Sequence, residues 1–172
     1  KFQTPRHTAM APVTRRGNME ILKIHWNMVE EKGENYSLHE ERANFPACAV
    51  DLVREYFREH TDGREHLIGI YLDNQCRPQG IETISIGTID QCAIYPREII
   101  KSLILLNANQ LIIAHNHPSN NPEPGTADRD VTRKIATACA AIDSKLLDHI
   151  IVGEDDKYFS FMESGIMPIL EK

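Results

Sequence analysis

The sequence predicts a single α/β domain built on a mixed sheet flanked by helices, and three observations point to it. Apolar runs of strand length alternate with longer stretches whose apolar residues recur at helical spacing. Their order along the chain is helix, two strands, helix, strand, helix, two strands, which suits a mixed sheet covered by helices. The length of 172 residues is enough for one compact domain with a core and short for two.

Residues 1–18 are polar, carry Pro5, Pro12, Arg15, Arg16 and Gly17, and keep no sustained period, so they read as a flexible leader. Residues 19–45 form an N-terminal extension, in which Ile21, Leu22, Ile24, Trp26, Met28 and Val29 mix strand-like and helix-like spacing. Trp26 is expected to be a packing anchor there, with a turn at Gly33-Glu34-Asn35. The domain proper is residues 46–172. It opens on a helix with Pro46 near the first turn and Val50, Leu52, Val53, Tyr56 and Phe57 as its apolar stripe. After Thr61-Asp62-Gly63, His66–Leu72 is a strand, Asp73–Pro78 a turn and Gln79–Ile86 a returning strand, which together make a hairpin. Pro96 opens a second helix, whose apolar face is Ile99, Ile100, Leu103, Ile104 and Leu106 and which ends at Asn107-Ala108-Asn109. Leu111–Ala114 is a buried strand, Ala127–Ala141 a third helix, and Leu146–Val152 and Tyr158–Phe161 two last strands about the turn at Gly153–Asp156.

The 19 basic and 25 acidic residues give a formal net charge of −6, which weighs against a broad basic surface for nucleic acid. Cys48, Cys76, Cys92 and Cys139 form no Cys-x-x-Cys pair and read as reduced thiols of a cytoplasmic protein. No stretch reaches the length of a membrane span, and no secretory signal is visible.

The densest chemical information lies at His115-Asn116-His117-Pro118-Ser119, followed by Asp128. Residues i and i+2 of an extended segment point to one side, so both imidazoles can face a single point while Asn116 points away. The loop from Pro118 to Gly125 holds three prolines, and Asp128 then falls in the first turn of the third helix, able to fold back on the histidines. Two His and one Asp fit a catalytic zinc site, which uses three protein ligands and keeps a fourth position open. Zinc suits this donor set, although manganese, iron and nickel accept the same ligand types.

With these residues in place, the chain resembles the RadC-like branch of the JAB/MPN superfamily, whose JAMM motif is an upstream Glu, then His-x-His, then Ser-x-x-Asp. The likeness runs from about Pro46 to Leu170, through Arg64-Glu65-His66, Tyr71–Gln75, Gly87-Thr88, Pro96–Ile99, Ala114–Ser119, Ala127–Arg129 and Asp148–Gly153. It implies the cytidine-deaminase-like α/β sandwich of MPN domains. It also implies one Zn2+ per chain held by His115, His117 and Asp128, with Glu65 as the carboxylate that takes a proton from water on the metal. By composition alone Glu65 is a solvated charge between Arg64 and His66.

One position departs from the pattern: Gly125 stands where the family has the serine that steadies the oxyanion. Ser119 and Thr126 are the nearby hydroxyls that can substitute, and Asp148 and His149 are candidates for orienting a ligand from behind. The resemblance therefore implies a zinc-dependent hydrolase acting on a peptide or isopeptide bond of a protein or peptide substrate. Two alternatives stand beside it. The RadC-like branch carries a DNA-repair association, which implies a DNA-associated factor or metal-dependent nuclease, and the acidic balance counts against that. The other is a metal-binding interaction module with little catalysis, which Gly125 favours.

Overall fold

The computed structural model describes residues 47–59, 62–87, 94–153 and 157–170. The expected leader, the extension with Trp26, Pro46 and the turn at residues 154–156 lie outside the described residues. The elements follow in the order α1 (Ala47–Glu59), β1 (His66–Leu72), β2 (Pro78–Ile86), α2 (Pro96–Leu105), β3 (Gln110–Asn116), α3 (Thr126–Ala140), β4 (Lys145–Val152) and β5 (Tyr158–Ser160).

The five strands form one mixed sheet in the order β2-β1-β3-β4-β5. β1 pairs antiparallel with both β2 and β3, β3 pairs parallel with β4 across α3, and β5 returns antiparallel to β4. A parallel pair needs a crossover, and the helical run between β3 and β4 supplies it. The expected α/β domain with a mixed sheet and flanking helices is what the chain forms, and it is consistent with the JAB/MPN fold.

Strand parity divides the core in two. Ile68, Ile70, Leu72, Ile112, Ala114, Ile150 and Val152 face one side of the sheet, where Ala49, Val50, Leu52, Val53, Tyr56 and Phe57 of α1 cover them. Leu67, Tyr71, Leu111 and Ile113 face the other, against Ile99 and Leu103 of α2 and Ile135 and Cys139 of α3. Because both faces of β1 are covered, all seven of its residues are buried, and it reads as an unbroken apolar run rather than an alternation. The same parity aims His115 and His149 at the α3 side, because they stand in odd positions beside Ile113 and Ile151. Truncating a sealed core side chain such as Leu103 costs about 2–5 kcal/mol. The fold therefore holds the strand ends on a rigid base.

Among the described residues no helix is long and apolar enough to cross a membrane. Cys76 and Cys139 are free thiols, and burial pushes the Cys139 pKa up to about 11. The side chain of Cys48 and all of Cys92 lie outside the described residues.

Candidate metal centre

β3 delivers His115, fully buried, near its C-terminal end, and the chain turns after His117. The His117 N–H donates to the Val152 carbonyl at 2.9 Å, so the strand pairing continues just far enough to aim the second imidazole. The two rings lie with centroids 4.6 Å apart. The His117 Nδ1–H donates to the Asn121 carbonyl at 2.6 Å, which turns Nε2 inward as the lone-pair nitrogen.

Asp128 stands at the third position of α3, with Gly125 as the residue capping the helix. Its Oδ2 accepts the Gly125 N–H at 2.7 Å, the carboxylate half of a capping box, and this bond holds the side chain back over the helix start. From there Oδ1 lies 3.3 Å from His115 Nε2, and Oδ2 lies 3.7 Å from His117 Nε2.

Glu65 arrives from the strand next door. The antiparallel register pairs Leu67 with His115, so two residues back along β1 and two forward along β3 set Glu65 opposite His117. Asn116 fixes the segment: its Oδ1 accepts the His66 N–H at 2.7 Å and its Nδ2 donates to the Arg64 carbonyl at 2.9 Å. Those bonds fall on either side of Glu65, whose own carbonyl accepts the Gly87 N–H at 2.8 Å. Glu65 Oε1 lies 3.9 Å from His115 Nε2, with its side chain 13% exposed. On the approach to it, hydrogen bonds from His66 and then Arg64 hold the Asp62 carboxyl well below the usual carboxylate range.

The ligating atoms of Glu65, His115, His117 and Asp128 thus lie within 4.8 Å of one another. Ligands of a tetrahedral zinc at about 2.0–2.1 Å are separated by about 3.3 Å. The 3.3 Å and 3.7 Å separations from Asp128 to the two imidazoles are close to that edge, and Glu65 stands 3.9 Å from His115 in the same cluster. His115 Nε2 is buried and makes no hydrogen bond, which a core imidazole avoids unless its lone pair serves another purpose. Burial, followed by the neighbouring His149 and His117, drives the His115 pKa well below 6.5, so the ring is neutral and able to ligate. These residues fit a divalent metal.

The chain belongs to the RadC-like JAB domain family, which residues 44–166 match. A UPF0758 protein of Actinobacillus pleuropneumoniae serotype 5b (strain L20) is 46% identical over 123 residues, covering 72% of this chain and 54% of that protein. A UPF0758 protein of Pasteurella multocida is 43% identical over 117 residues, covering 67% of this chain and 52% of its own length. That of Vibrio cholerae is 42% identical over 113 residues, covering 64% and 70%. The chain spans about half the length of the first two relatives.

Around the four converging residues the RadC-like domain opens two clefts that meet at Glu65 and His117. One, of about 440 Å3, is walled by Arg64, Gly87, Pro118 and Ser119. The other, of about 420 Å3, is walled by Asn121, Gly125, Thr126 and Asp128. Ser119 borders both clefts and Thr126 the second, each exposed. His149 lies directly behind the site, its Nε2 2.8 Å from His115 Nδ1. Asp148 faces away from the metal ligands: it accepts the Ser160 hydroxyl at 2.6 Å and the Met162 N–H at 2.9 Å, tying down the C-terminal turn. Thr132 is the residue that sequence reasoning missed, bonded to His149 Nδ1 at 2.7 Å. Its signal was its place one helical turn after Asp128, on the same face of α3.

Proposed function

We propose that this RadC-like domain is a zinc-dependent hydrolase of JAMM type that cleaves a peptide or isopeptide bond in a protein or peptide substrate. The observation that supports the reading is the convergence of two imidazoles and two carboxylates, with the Asp128 oxygens near zinc-ligand separations from both rings. His115, His117 and Asp128 hold the ion. When bound, zinc polarises a carbonyl and lowers the pKa of water from about 16 to about 7.

Each residue then has a separate task. Glu65 is held by its backbone on both sides, so its carboxylate meets the cleft at a fixed position and carries a proton from attacking water to the departing nitrogen. The meeting clefts let an extended chain lie across the site with its scissile carbonyl beside Glu65 and His117. With Gly125 in the position of the family's serine, Ser119 and Thr126 are the hydroxyls within the clefts that can face an oxyanion. A second reading, a metal-binding interaction module, draws on the same Gly125, because loss of one oxyanion donor costs about 10²- to 10³-fold in turnover.

The experiment is metal content by elemental mass spectrometry, paired with hydrolysis of an internally quenched peptide mixture and of isopeptide-linked lysine reporters. The wild type and Glu65→Gln should carry one zinc per chain, and His117→Ala and Asp128→Ala should lose it. Only the wild type should cleave. A folded wild type that refuses zinc, or a Glu65→Gln variant as active as the wild type, would overturn the proposal. Zinc retained without cleavage of any amide would support the interaction module.

A further inference from the structure

From the ligand His115 a chain of fully buried groups runs back through His149 to Thr132, neither of which the hydrolytic chemistry uses. His115 Nδ1 lies 2.8 Å from His149 Nε2, His149 Nδ1 lies 2.7 Å from the Thr132 hydroxyl, and that hydroxyl donates to the Asp128 carbonyl at 2.5 Å. His115, His149 and Thr132 are each 0% exposed, so water does not compete for these bonds. The His149 ring is further held flat on Phe161, with centroids 4.8 Å apart and planes 19° from parallel.

The order of protons along this chain is determined at one end. A backbone carbonyl only accepts, so the single Thr132 hydrogen is committed to Asp128. The hydroxyl then has only a lone pair for His149, whose Nδ1 must carry the ring proton. A neutral ring has one such proton, so His149 Nε2 is bare and accepts from His115 Nδ1–H. His115 Nε2 is left as a lone pair facing Asp128 and His117. The reverse order would turn the Thr132 oxygen lone pairs against the Asp128 carbonyl at 2.5 Å and place a proton on the nitrogen that must ligate.

We propose that Thr132, acting through His149, is a positioning residue that fixes His115 in the tautomer competent to bind metal. The chain closes on itself, because the helical turn that presents the Asp128 carboxylate also supplies the carbonyl that directs the His115 proton. One element therefore sets both ligands. The proposal rests on the metal-centre reading given above.

The test uses the full chain, with Thr132→Val as the isosteric variant lacking the hydroxyl and Thr132→Ser as the conservative one. Two readouts are taken: zinc affinity by competition with a chromogenic chelator, and the ring-nitrogen tautomers of metal-free protein by long-range 15N–1H correlation. Wild-type and Thr132→Ser proteins should show His115 protonated at Nδ1 and bare at Nε2. Thr132→Val should bind zinc about 10- to 100-fold more weakly, the cost typical of a lost partner behind a ligand, and should show protonated Nε2 in His115. A wild type with the opposite tautomer would overturn the proposal without recourse to a variant. So would a folded Thr132→Val protein with wild-type affinity and tautomer. If the wild type takes no zinc at all, the metal-centre reading fails, and the tautomer measurement still decides the proton order.

Discussion

Gly125→Ser restores the hydroxyl of the family pattern, and the local geometry shows what it should do. The backbone at Gly125 has φ −77° and ψ −177°, an extended conformation open to any L residue. A Cβ built there meets nothing nearer than Asp128 Oδ2 at 3.5 Å, an ordinary contact, so the side chain enters without displacing anything. Serine at this capping position gains a few tenths of a kcal/mol over glycine, and the less flexible unfolded chain adds about 0.4–1 kcal/mol. The sum is about 1 kcal/mol, which for a domain of this size is about 2–5 °C in Tm. The effect on catalysis should be larger. If the hydroxyl reaches the oxyanion, turnover rises by about 10²- to 10³-fold at unchanged zinc content. Thermal melts of metal-free protein and initial rates on the quenched peptide mixture measure the two effects separately. A lowered Tm would refute the steric reasoning. A raised Tm with no gain in rate would show that position 125 does not face the reacting carbonyl and that Ser119 or Thr126 already serves.

Asn116→Ala removes both bonds that flank Glu65, so turnover should fall about 10²-fold while zinc content stays at the wild-type value; equal loss of zinc and rate would place Asn116 with the ligands instead. Metal-free protein should lose stability as pH falls below about 6.5, because burial and then His117 lower the native His149 pKa to about 3 while the unfolded ring titrates near 6.5. The His149 ring therefore contributes up to about 1.4 kcal/mol per pH unit in that window, with its full contribution present above it, and burial shifts His115 in the same direction. The raised Asp148 pKa opposes this within the carboxylate range, and urea midpoints flat between pH 7 and 5 would contradict the assignment.

Sequence reading located β1, β2 and α3 within about a residue, because strong apolar runs or turn and helix-start signals bound them. β1 is buried along its whole length and its predicted bounds, His66–Leu72, coincide with the observed strand. β3 runs to Asn116 rather than stopping at Ala114, because imidazole and carboxamide can continue a ladder that an apolar count ends early. His-x-His and Asp128 were legible because all three lie within one strand–loop–helix unit. Glu65 was legible only through the family resemblance, since its place depends on β1 pairing with β3 in a register that puts Leu67 against His115. A hairpin predicts the β1–β2 pairing, but nothing local predicts which strand takes the other edge of β1. Thr132 was missed for a different reason: its place one turn after Asp128 is a weak signal, because a helical threonine bonding to the carbonyl one turn back is common, and only the ring above it gives the bond a consequence.

The loop that carries His117 depends in turn on a glycine just past the end of β4. A Cβ at Gly153 would stand 2.8 Å from the Asn120 carbonyl oxygen and 3.3 Å from its carbon, both backbone atoms that no side-chain rotation can move. Gly153→Ala must therefore displace the loop, and the Asn121 carbonyl that receives the His117 Nδ1–H moves with it. Overpacking of this kind costs about 1–3 kcal/mol. The specific consequence is that His117 loses its fixed orientation, and zinc affinity should fall about tenfold or more. Gly80→Ala is the control, because its Cβ meets Leu106 Cδ1 at 3.0 Å, a flexible side-chain end on an element outside the site. Both variants should melt lower, and only Gly153→Ala should bind zinc more weakly. Parallel losses of affinity would mean that the ligands respond to global stability, and the close contact between Gly153 and the loop would then have no separate part in holding His117.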